Sequence, residues 1–204
     1  MEIACLDLEG VLVPEVWIAV AEKTGIEELK LTTRDIADYR VLMNKRIEVL
    51  QSHNLTLTDV QNVIDTLEPL PGAQQFVEWL REHFQLVILS DTFYEFAAPL
   101  MRKLQRPTLL CHRLEVNKDD VIVDFRLRQE DPKRESVKAF HALNYRVIAA
   151  GDSYNDTSML AEADVGILFR PPANVVEEFP QFSVCHRFDE LKAAFVAASN
   201  RDLN

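Results

Sequence analysis

Four carboxylates form the most conspicuous charge pattern in this sequence. Two apolar runs, each typical of a buried strand, end in paired acids: Asp7 and Glu9 after the first run, and Asp152 and Asp156 after the second. Like charges brought this close repel one another unless a cation lies among them. Oxygen ligands with few nitrogens or thiols select a hard ion, for which Mg²⁺ is the best fit. The sequence therefore predicts a magnesium site formed by these four residues.

A hydroxyl group and a lysine accompany the acids. A third apolar run ends in Ser90 and Asp91, and Lys133 precedes a predicted helix. Because Mg²⁺ usually keeps phosphate oxygens among its ligands, the set indicates phosphoryl chemistry. The lysine ammonium would neutralise a phosphate dianion, and the serine hydroxyl would hydrogen-bond its oxygens. Ser90, Asp91 and Lys133 are therefore candidate substrate-binding residues.

Asp7 and Glu9 divide naturally between two catalytic roles. An aspartate nucleophile at Asp7 would form an aspartyl-phosphate and split the reaction into two steps. Glu9 would protonate the leaving alkoxide and then take a proton from the acceptor. Each residue taken alone also fits a structural role, because Asp and Ser after a strand often cap a helix or form a turn. The combination is what favours catalysis.

The predicted elements explain how these side chains could meet. Strands and helices alternate along most of the chain, which predicts an α/β fold with a doubly wound parallel sheet. Ligands bind at the carboxyl ends of such strands, where the candidate residues lie. Three helices in succession interrupt the alternation and predict an inserted cap over residues 14–71, with the core formed by residues 1–13 and 72–204.

Two helix starts and one hairpin are predicted more locally. Apolar spacing predicts a helix within residues 32–54, with Thr33 as its N-cap, and a second helix within residues 57–70 that is capped by Thr58. Residues 109–127 read as a β-hairpin around a polar turn. That hairpin could be an edge flap or a dimer contact, so a homodimer stays open.

Composition excludes several classes of function. The 204 residues include 22 basic and 33 acidic ones, a net charge of −11, which argues against binding to a nucleic-acid backbone. No apolar run reaches the roughly 18 residues that a membrane-spanning helix needs. The N-terminal residues lack the pattern of a signal peptide, and three widely separated cysteines read as buried, reduced thiols. A cytoplasmic protein is expected.

Four short motifs resemble those of the haloacid dehalogenase superfamily of phosphatases, in the same order. They are DLEGVLVPE, LSDTF, DPKRES and GDSYND. The insert after the first motif resembles the C1 cap of phosphoserine phosphatases, and it is most similar to members that also pass the phosphoryl group to homoserine. The resemblance implies Mg²⁺ as cofactor and phosphoserine and homoserine as small-molecule substrates.

The resemblance also implies roles for individual residues. It makes Glu9 a Mg²⁺ contact through its main-chain carbonyl, and Asn155 a contact of the substrate phosphate. In the cap, Glu15 and Arg46 occupy the places that bind the ammonium and the carboxylate of the substrate. An anion and a fork-shaped cation suit a zwitterion. Arg34 and Arg40 are expected to be solvated.

Three positions depart from the usual phosphoserine phosphatase pattern. Glu9 replaces an aspartate, Asp91 and Thr92 replace two glycines after Ser90, and Ser153 replaces a glycine. These departures fit the phosphotransferase relatives. Two alternatives stay open: a phosphatase of another small phosphomonoester, and a receiver-like signalling phosphoacceptor.

Overall fold

The computed structural model describes residues 1–32, 35–36 and 38–203, in which strands and helices alternate. The strands are β1 (Glu2–Leu6), β2 (Gln85–Phe93), β3 (Thr108–Val116), β4 (Ile122–Arg126), β5 (Arg146–Gly151), β6 (Val165–Phe169) and β7 (Ser183–Cys185). The helices are α1 (Val16–Thr24), α2 (Tyr39–Ser52), α3 (Leu57–Asp65), α4 (Ala73–His83), α5 (Tyr94–Lys103), α6 (Pro132–Ala142), α7 (Thr157–Glu162), α8 (Ala173–Glu178) and α9 (Phe188–Ala198). Short 3-10 helices cover Glu27–Lys30 and Tyr154–Asp156.

One seven-stranded sheet has the order β4-β3-β2-β1-β5-β6-β7. All neighbouring pairs are parallel except β3 and β4, which are antiparallel. The predicted α/β fold with a doubly wound sheet is therefore confirmed. β1 lies between β2 and β5, with Cys5 opposite Val87 and Leu6 opposite Ala150. The carboxyl ends of these three central strands therefore lie side by side.

Two hydrophobic layers cover the two faces of the sheet. Alternate residues of a strand point to opposite faces, and β1 divides in this way: Ala4 and Leu6 belong to the larger cluster, Ile3 and Cys5 to the smaller one. The larger cluster includes residues of α1 to α5 and α9, whereas the smaller one includes residues of α6, α7 and α8. Because both faces are buried, the central strands read as continuous apolar runs.

Helices α1 to α3 lie between β1 and α4 in the chain, as the predicted insert requires. The main-chain N–H of Leu70 donates to the carbonyl of Leu12 at 2.9 Å, so the two ends of the insert lie side by side. This contact suits a cap hinged to the core through two adjacent segments. The boundaries at residues 14 and 71 stay a prediction.

The predicted start of α2 was wrong. Asp35 and Ile36 are not helical, and α2 begins at Tyr39 after Asp38, whose side chain accepts hydrogen bonds from two main-chain N–H groups. Thr33 lies outside the described residues.

The predicted cap of α3 was also wrong. α3 is capped by Thr56 instead of Thr58, because Thr56 and Asp59 form a reciprocal capping box. Sequence patterns place helix ends poorly when several capping residues stand close together.

The predicted hairpin exists as β3 and β4, and its turn contacts the insert. The main-chain oxygen of Asp120 accepts from the N–H of Leu57 at 2.9 Å. The Asp120 carboxylate accepts from the N–H of Thr58 at 2.8 Å. The Gln51 amide donates to the carbonyl of Ile122 at 2.8 Å. The hairpin therefore braces α2 and α3, and a dimer contact stays a prediction.

The C-terminal segment is fastened to the first strand through Glu2. This buried carboxylate accepts hydrogen bonds from the Ser199 hydroxyl at 2.6 Å, the Asn200 N–H at 2.7 Å and the Arg201 guanidinium at 2.9 Å. Burial on its own would raise the pKa of Glu2, but these hydrogen bonds hold it below the usual value. The ionised carboxylate therefore stabilises the fold.

The three cysteines are buried and unpaired, as expected from their spacing. Over the described parts of the chain, no helix combines the length and the apolar character needed to cross a membrane.

Candidate active site

A cavity of about 340 Å³ opens at the carboxyl ends of the central strands, beneath the inserted helices. Every candidate residue named from the sequence except Asp156 lines it: Asp7, Glu9, Glu15, Arg46, Ser90, Asp91, Lys133, Asp152 and Asn155. The sheet brings together groups that lie more than 100 positions apart, because parallel strands end at one edge. Two other residues of the motifs, Thr92 and Ser153, also line the cavity.

Asp7 is a buried carboxylate directly after β1. Its main-chain N–H donates to Ala150 at 3.0 Å, which continues the ladder between β1 and β5. Its Oδ1 accepts from the N–H of Leu8 at 2.7 Å and lies 3.0 Å from Lys133 Nζ. Burial and the Asp156 charge raise the pKa of Asp7 well above its usual value, although Lys133 opposes them. A further positive charge at the site would favour the ionised form of Asp7, the predicted nucleophile.

Asp7, Asp152 and Asp156 form an acidic group in which one oxygen of each lies within 4.8 Å of the others. Burial and Asp156 raise the pKa of Asp152 to about 7. Carboxylate oxygens converging in this way, and opposed by a single lysine, are suited to a divalent hard cation. The donor set therefore fits Mg²⁺.

Asp156 is tied to the chain on both oxygens. Oδ1 accepts from Lys133 Nζ at 2.7 Å, and Oδ2 accepts from the main-chain N–H groups of Asp152 at 2.9 Å and Ser153 at 3.1 Å. The side chain is fully buried, and its two hydrogen bonds to main-chain N–H groups hold the loop that carries Asp152 in place. This arrangement favours an orienting role for Asp156 behind the predicted magnesium ligands.

Gly10 makes the approach of Asp152 to the first loop possible. A Cβ at position 10 would lie 2.6 Å from the Asp152 carboxylate carbon, well inside a van der Waals contact. The residue also has a φ of +76°, in the left-handed region that favours glycine. The turn after Glu9 therefore requires glycine for both its conformation and its space.

Lys133 is the central cation of the core. Its ammonium lies 2.7 Å from Asp156, 3.0 Å from Asp7 and 3.5 Å from Asp91, with only 2% of the side chain exposed. Burial on its own would lower the lysine pKa, but the three carboxylates raise it well above the usual value. The residue is therefore a permanent positive charge beside the predicted nucleophile.

Glu9 directs its side chain to the insert and away from the acidic group. Its Oε2 accepts from the N–H of Val16, the first residue of α1, at 2.8 Å. Burial and the neighbouring Glu15 raise the pKa of Glu9 to about 7, against the lowering effects of Val16, Thr92 and Arg46. A carboxyl group with this pKa can both give and take a proton near neutral pH. The Glu9 side chain is therefore suited to acid–base chemistry. The contact of its main-chain carbonyl with Mg²⁺ stays a prediction.

Arg46 projects from α2 into the cavity and is 7% exposed. Its guanidinium lies over the Trp17 ring at 4.5 Å from the centroid, and one amino group donates to the carbonyl of Leu31 at 2.7 Å. Within the described chain, the Nε–H is buried and has no hydrogen-bond acceptor. Burial lowers the pKa of Arg46 to about 10, although Tyr39, Glu9 and Glu15 act to raise it. A buried donor without an acceptor suits the carboxylate of a bound ligand, which is the role predicted for Arg46 from the sequence.

Glu15 and Arg40 are the other charged residues of the insert for which the sequence makes a prediction that the structure describes. Glu15 precedes α1, is exposed and lines the cavity. Arg40 is exposed, as predicted, and does not line the cavity. Arg34 lies outside the described residues. Among the described residues of the insert, Glu15 and Arg46 are therefore the charged ones that line the cavity.

Three further residues at the site had no clear signal in the sequence. The Tyr39 hydroxyl donates to the main-chain oxygen of Asp91 at 2.7 Å, and this links α2 to the end of β2. His112 of β3 is buried with its Nε2 3.7 Å from Asp91 Oδ1. Thr92 is buried beside Ser90, whose hydroxyl oxygen accepts from the Thr92 N–H at 3.2 Å. In the sequence, Tyr39 belongs to the apolar face of a predicted helix, and His112 is one of five histidines that form no pattern.

The family to which the chain belongs follows from a match to known sequences. The haloacid dehalogenase-like hydrolase family matches residues 18–161. The chain belongs to this family. Its acidic group, lysine and serine at the sheet edge therefore lie on a chain that belongs to the haloacid dehalogenase-like hydrolases.

Two curated relatives align over essentially the whole chain. A protein named phosphoserine phosphatase from Pseudomonas syringae pv. tomato is 67% identical over 203 residues, which cover 100% of this chain and 86% of the relative. A protein named phosphoserine phosphatase ThrH from Pseudomonas aeruginosa is 65% identical over 204 residues and covers 100% of both chains. These identities make the two relatives close guides to this sequence.

Solved structures share the fold at much lower identity. A structure described as a phospho-aspartyl intermediate analogue of phosphoserine phosphatase has a TM-score of 0.76 at 20% identity. The similarity covers 95% of this chain and 98% of that one. The architecture of sheet and inserted helices is therefore shared over nearly the whole length of both chains.

Proposed function

We propose that this protein is a Mg²⁺-dependent phosphoserine phosphatase that also transfers the phosphoryl group of phosphoserine to homoserine. The observation that carries the proposal is the single cavity in which Asp7 and Lys133 of the core face Arg46 and Glu15 of the insert. The core pair suits a phosphoryl group, and the insert pair suits a zwitterion. The names of the two close Pseudomonas relatives support the same substrate.

The first half-reaction forms an aspartyl-phosphate. A carboxylate oxygen of Asp7 attacks phosphorus, the bond from phosphorus to the serine oxygen breaks, and Glu9 donates its proton to the leaving alkoxide. Lys133, Ser90 and Asn155 hold the phosphoryl oxygens throughout. Mg²⁺, held by Asp7 and Asp152 with Asp156 behind them, would supply further positive charge against those oxygens.

The second half-reaction returns the nucleophile. The ionised Glu9 takes a proton from the acceptor hydroxyl, the acceptor oxygen bonds to phosphorus, and the acyl-phosphate bond to Asp7 breaks. Water as acceptor gives inorganic phosphate, whereas homoserine gives phosphohomoserine. Homoserine carries the same ammonium and carboxylate groups as serine, so Glu15 and Arg46 can bind it once serine has left.

The assay uses phosphoserine and Mg²⁺ with and without homoserine. We expect inorganic phosphate in both mixtures and phosphohomoserine only in the second. Absence of both products would contradict the proposal, and phosphate without phosphohomoserine would restrict it to hydrolysis. A phosphorylated Asp7 that persists without turnover would favour the receiver-like alternative.

A further inference from the structure

Asp91 is an unexpected neighbour for a phosphate group. It stands next to Ser90 at the end of β2, and its side chain is 26% exposed. A carboxylate repels a phosphate dianion at short range, so Asp91 is a poor direct ligand for the phosphoryl oxygens. Its contacts give it a different role.

Both carboxylate oxygens of Asp91 face other side chains of the site. Oδ2 accepts from Asn155 Nδ2 at 2.8 Å and lies 3.5 Å from Lys133 Nζ. Oδ1 faces His112 Nε2 at 3.7 Å, too far for a hydrogen bond. Since Nδ1 of His112 accepts from the main-chain N–H of Arg128 at 3.1 Å, the neutral ring carries its hydrogen on Nε2, toward Asp91. The carboxylate therefore lies among three hydrogen-bearing groups.

The contact with Asn155 determines which way that amide points. The Asn155 Oδ1 accepts from the Ser153 hydroxyl at 2.6 Å, while Nδ2 donates to Asp91. A flipped amide would lose the hydrogen bond to Asp91 and bring its oxygen toward that carboxylate, although the Ser153 hydroxyl can accept as well as donate. An amide has two N–H donors, so one remains on a residue that lines the cavity. That donor is the one a phosphoryl oxygen can use.

We infer that Asp91 is a positioning residue that orients Asn155 and draws Lys133 toward the phosphoryl group, with His112 behind it. The inference rests on the proposed phosphoryl chemistry and adds to it a role for the carboxylate that replaces a glycine. Asp91 acts through its two neighbours and does not touch the phosphate.

Removal of the Asp91 side chain leaves the strand end in place. Its main-chain oxygen, and not its carboxylate, accepts the hydrogen bond from the Tyr39 hydroxyl at 2.7 Å. The fold should therefore tolerate Asp91→Ala, with Asp91→Asn as the second variant if the first does not fold. Asp119→Ala, which removes an exposed carboxylate in the hairpin turn, is the matched control.

The test is a double-mutant cycle with Asn155. We compare the wild type with Asp91→Ala, Asn155→Ala and the double variant, all in the presence of Mg²⁺. One readout is the affinity for inorganic phosphate by calorimetry, and the other is kcat/KM for phosphoserine and for an aryl phosphate. Loss of a hydrogen bond to a charged group predicts a roughly 10- to 100-fold loss for Asp91→Ala. The double variant should then lose less than the sum of the two single losses, and any loss beyond that of Asn155→Ala reports the contact of Asp91 with Lys133.

The outcomes separate this inference from the proposed function. Additive losses, or unchanged phosphate affinity in Asp91→Ala, would overturn the positioning role. A wild type that turns over the aryl phosphate but not phosphoserine would overturn the proposed substrate. In that case the double-mutant cycle measured on phosphate affinity would still test the role of Asp91. A purely structural role would lower the urea midpoint without coupling to Asn155.

Discussion

Replacement of Arg46 is the sharpest test of substrate choice, because the residue reaches the cavity from the insert and forms no ion pair with a core carboxylate among the described residues. We choose Arg46→Met, which keeps an apolar stem over the Trp17 ring and removes the guanidinium. The change also removes a buried donor that has no acceptor in the described chain. We therefore expect the free energy of unfolding to change by no more than about 1 kcal/mol.

The expected loss of activity follows from the donors that remain free. Nη2 of Arg46 donates one hydrogen to the carbonyl of Leu31 at 2.7 Å, and Nη1 faces Met43 Sδ at 3.7 Å, which leaves the Nε–H and the second Nη2 hydrogen for a substrate carboxylate. Two charge-assisted hydrogen bonds contribute about 3 to 6 kcal/mol. At about 1.36 kcal/mol for each factor of ten, kcat/KM for phosphoserine should fall roughly 10²- to 10⁴-fold.

The assay compares phosphoserine with an aryl phosphate that lacks the amino-acid groups. The aryl phosphate should lose less than about tenfold in kcat/KM, since the transferred group is held by the core. Arg40→Met is the matched control, because Arg40 is an exposed arginine on the same helix and should leave both substrates unaffected. Equal losses on the two substrates would refute the reasoning and favour a phosphatase of another phosphomonoester.

Three further changes test the core of the site and the fold. Asp7→Asn should abolish turnover of phosphoserine and aryl phosphate alike, because no aspartyl-phosphate can form; a variant with wild-type rates would exclude Asp7 as the nucleophile. Gly10→Ala should weaken activation by Mg²⁺ at least about tenfold, since its Cβ would meet Asp152 at 2.6 Å, whereas Gly25→Ala has the same left-handed strain in open space and should only lose about 1 kcal/mol of stability. Similar activation by Mg²⁺ in the two glycine variants would contradict the steric argument. Glu2→Gln should lower the free energy of unfolding in urea by about 1 to 3 kcal/mol near neutral pH. The folded-state pKa of Glu2 is lowered, so its contribution is present above the unfolded value of 4.5 and is lost as the pH falls through the folded value. If the difference in free energy of unfolding between wild type and Glu2→Gln stayed constant down to low pH, the ionised Glu2 carboxylate would be excluded as its cause.

The order of elements and the residues at the strand ends could be predicted from the sequence. Buried parallel strands such as β5 and β6 are continuous apolar runs, and the polar residues that follow them stand out against that background. Asp7, Ser90, Lys133 and Asp152 were placed at one sheet edge for this reason, and they line one cavity. Helix ends were less predictable, because Thr56 and Thr58 both suit an N-cap and only Asp59 decides between them.

The long-range contacts at the site were decided by tertiary structure alone. The bond from Tyr39 to Asp91 joins residues 52 positions apart, and the one from Asn155 to Asp91 joins residues 64 apart. No periodicity or local propensity encodes such pairs, because they depend on how α2 and the hairpin pack on the sheet. The direction of the Glu9 carboxylate, toward the N–H of Val16, is of the same kind.

The sequence by itself determined which chemical groups this protein possesses and at which sheet edge they gather, since strand periodicity and motif order are local properties of the chain. The tertiary structure decided what each group faces. Burial and the neighbouring Glu15 raise the pKa of Glu9 to about 7, and three neighbouring carboxylates keep Lys133 protonated. These properties depend on distances between groups that are far apart along the chain, so they exist only in the folded protein.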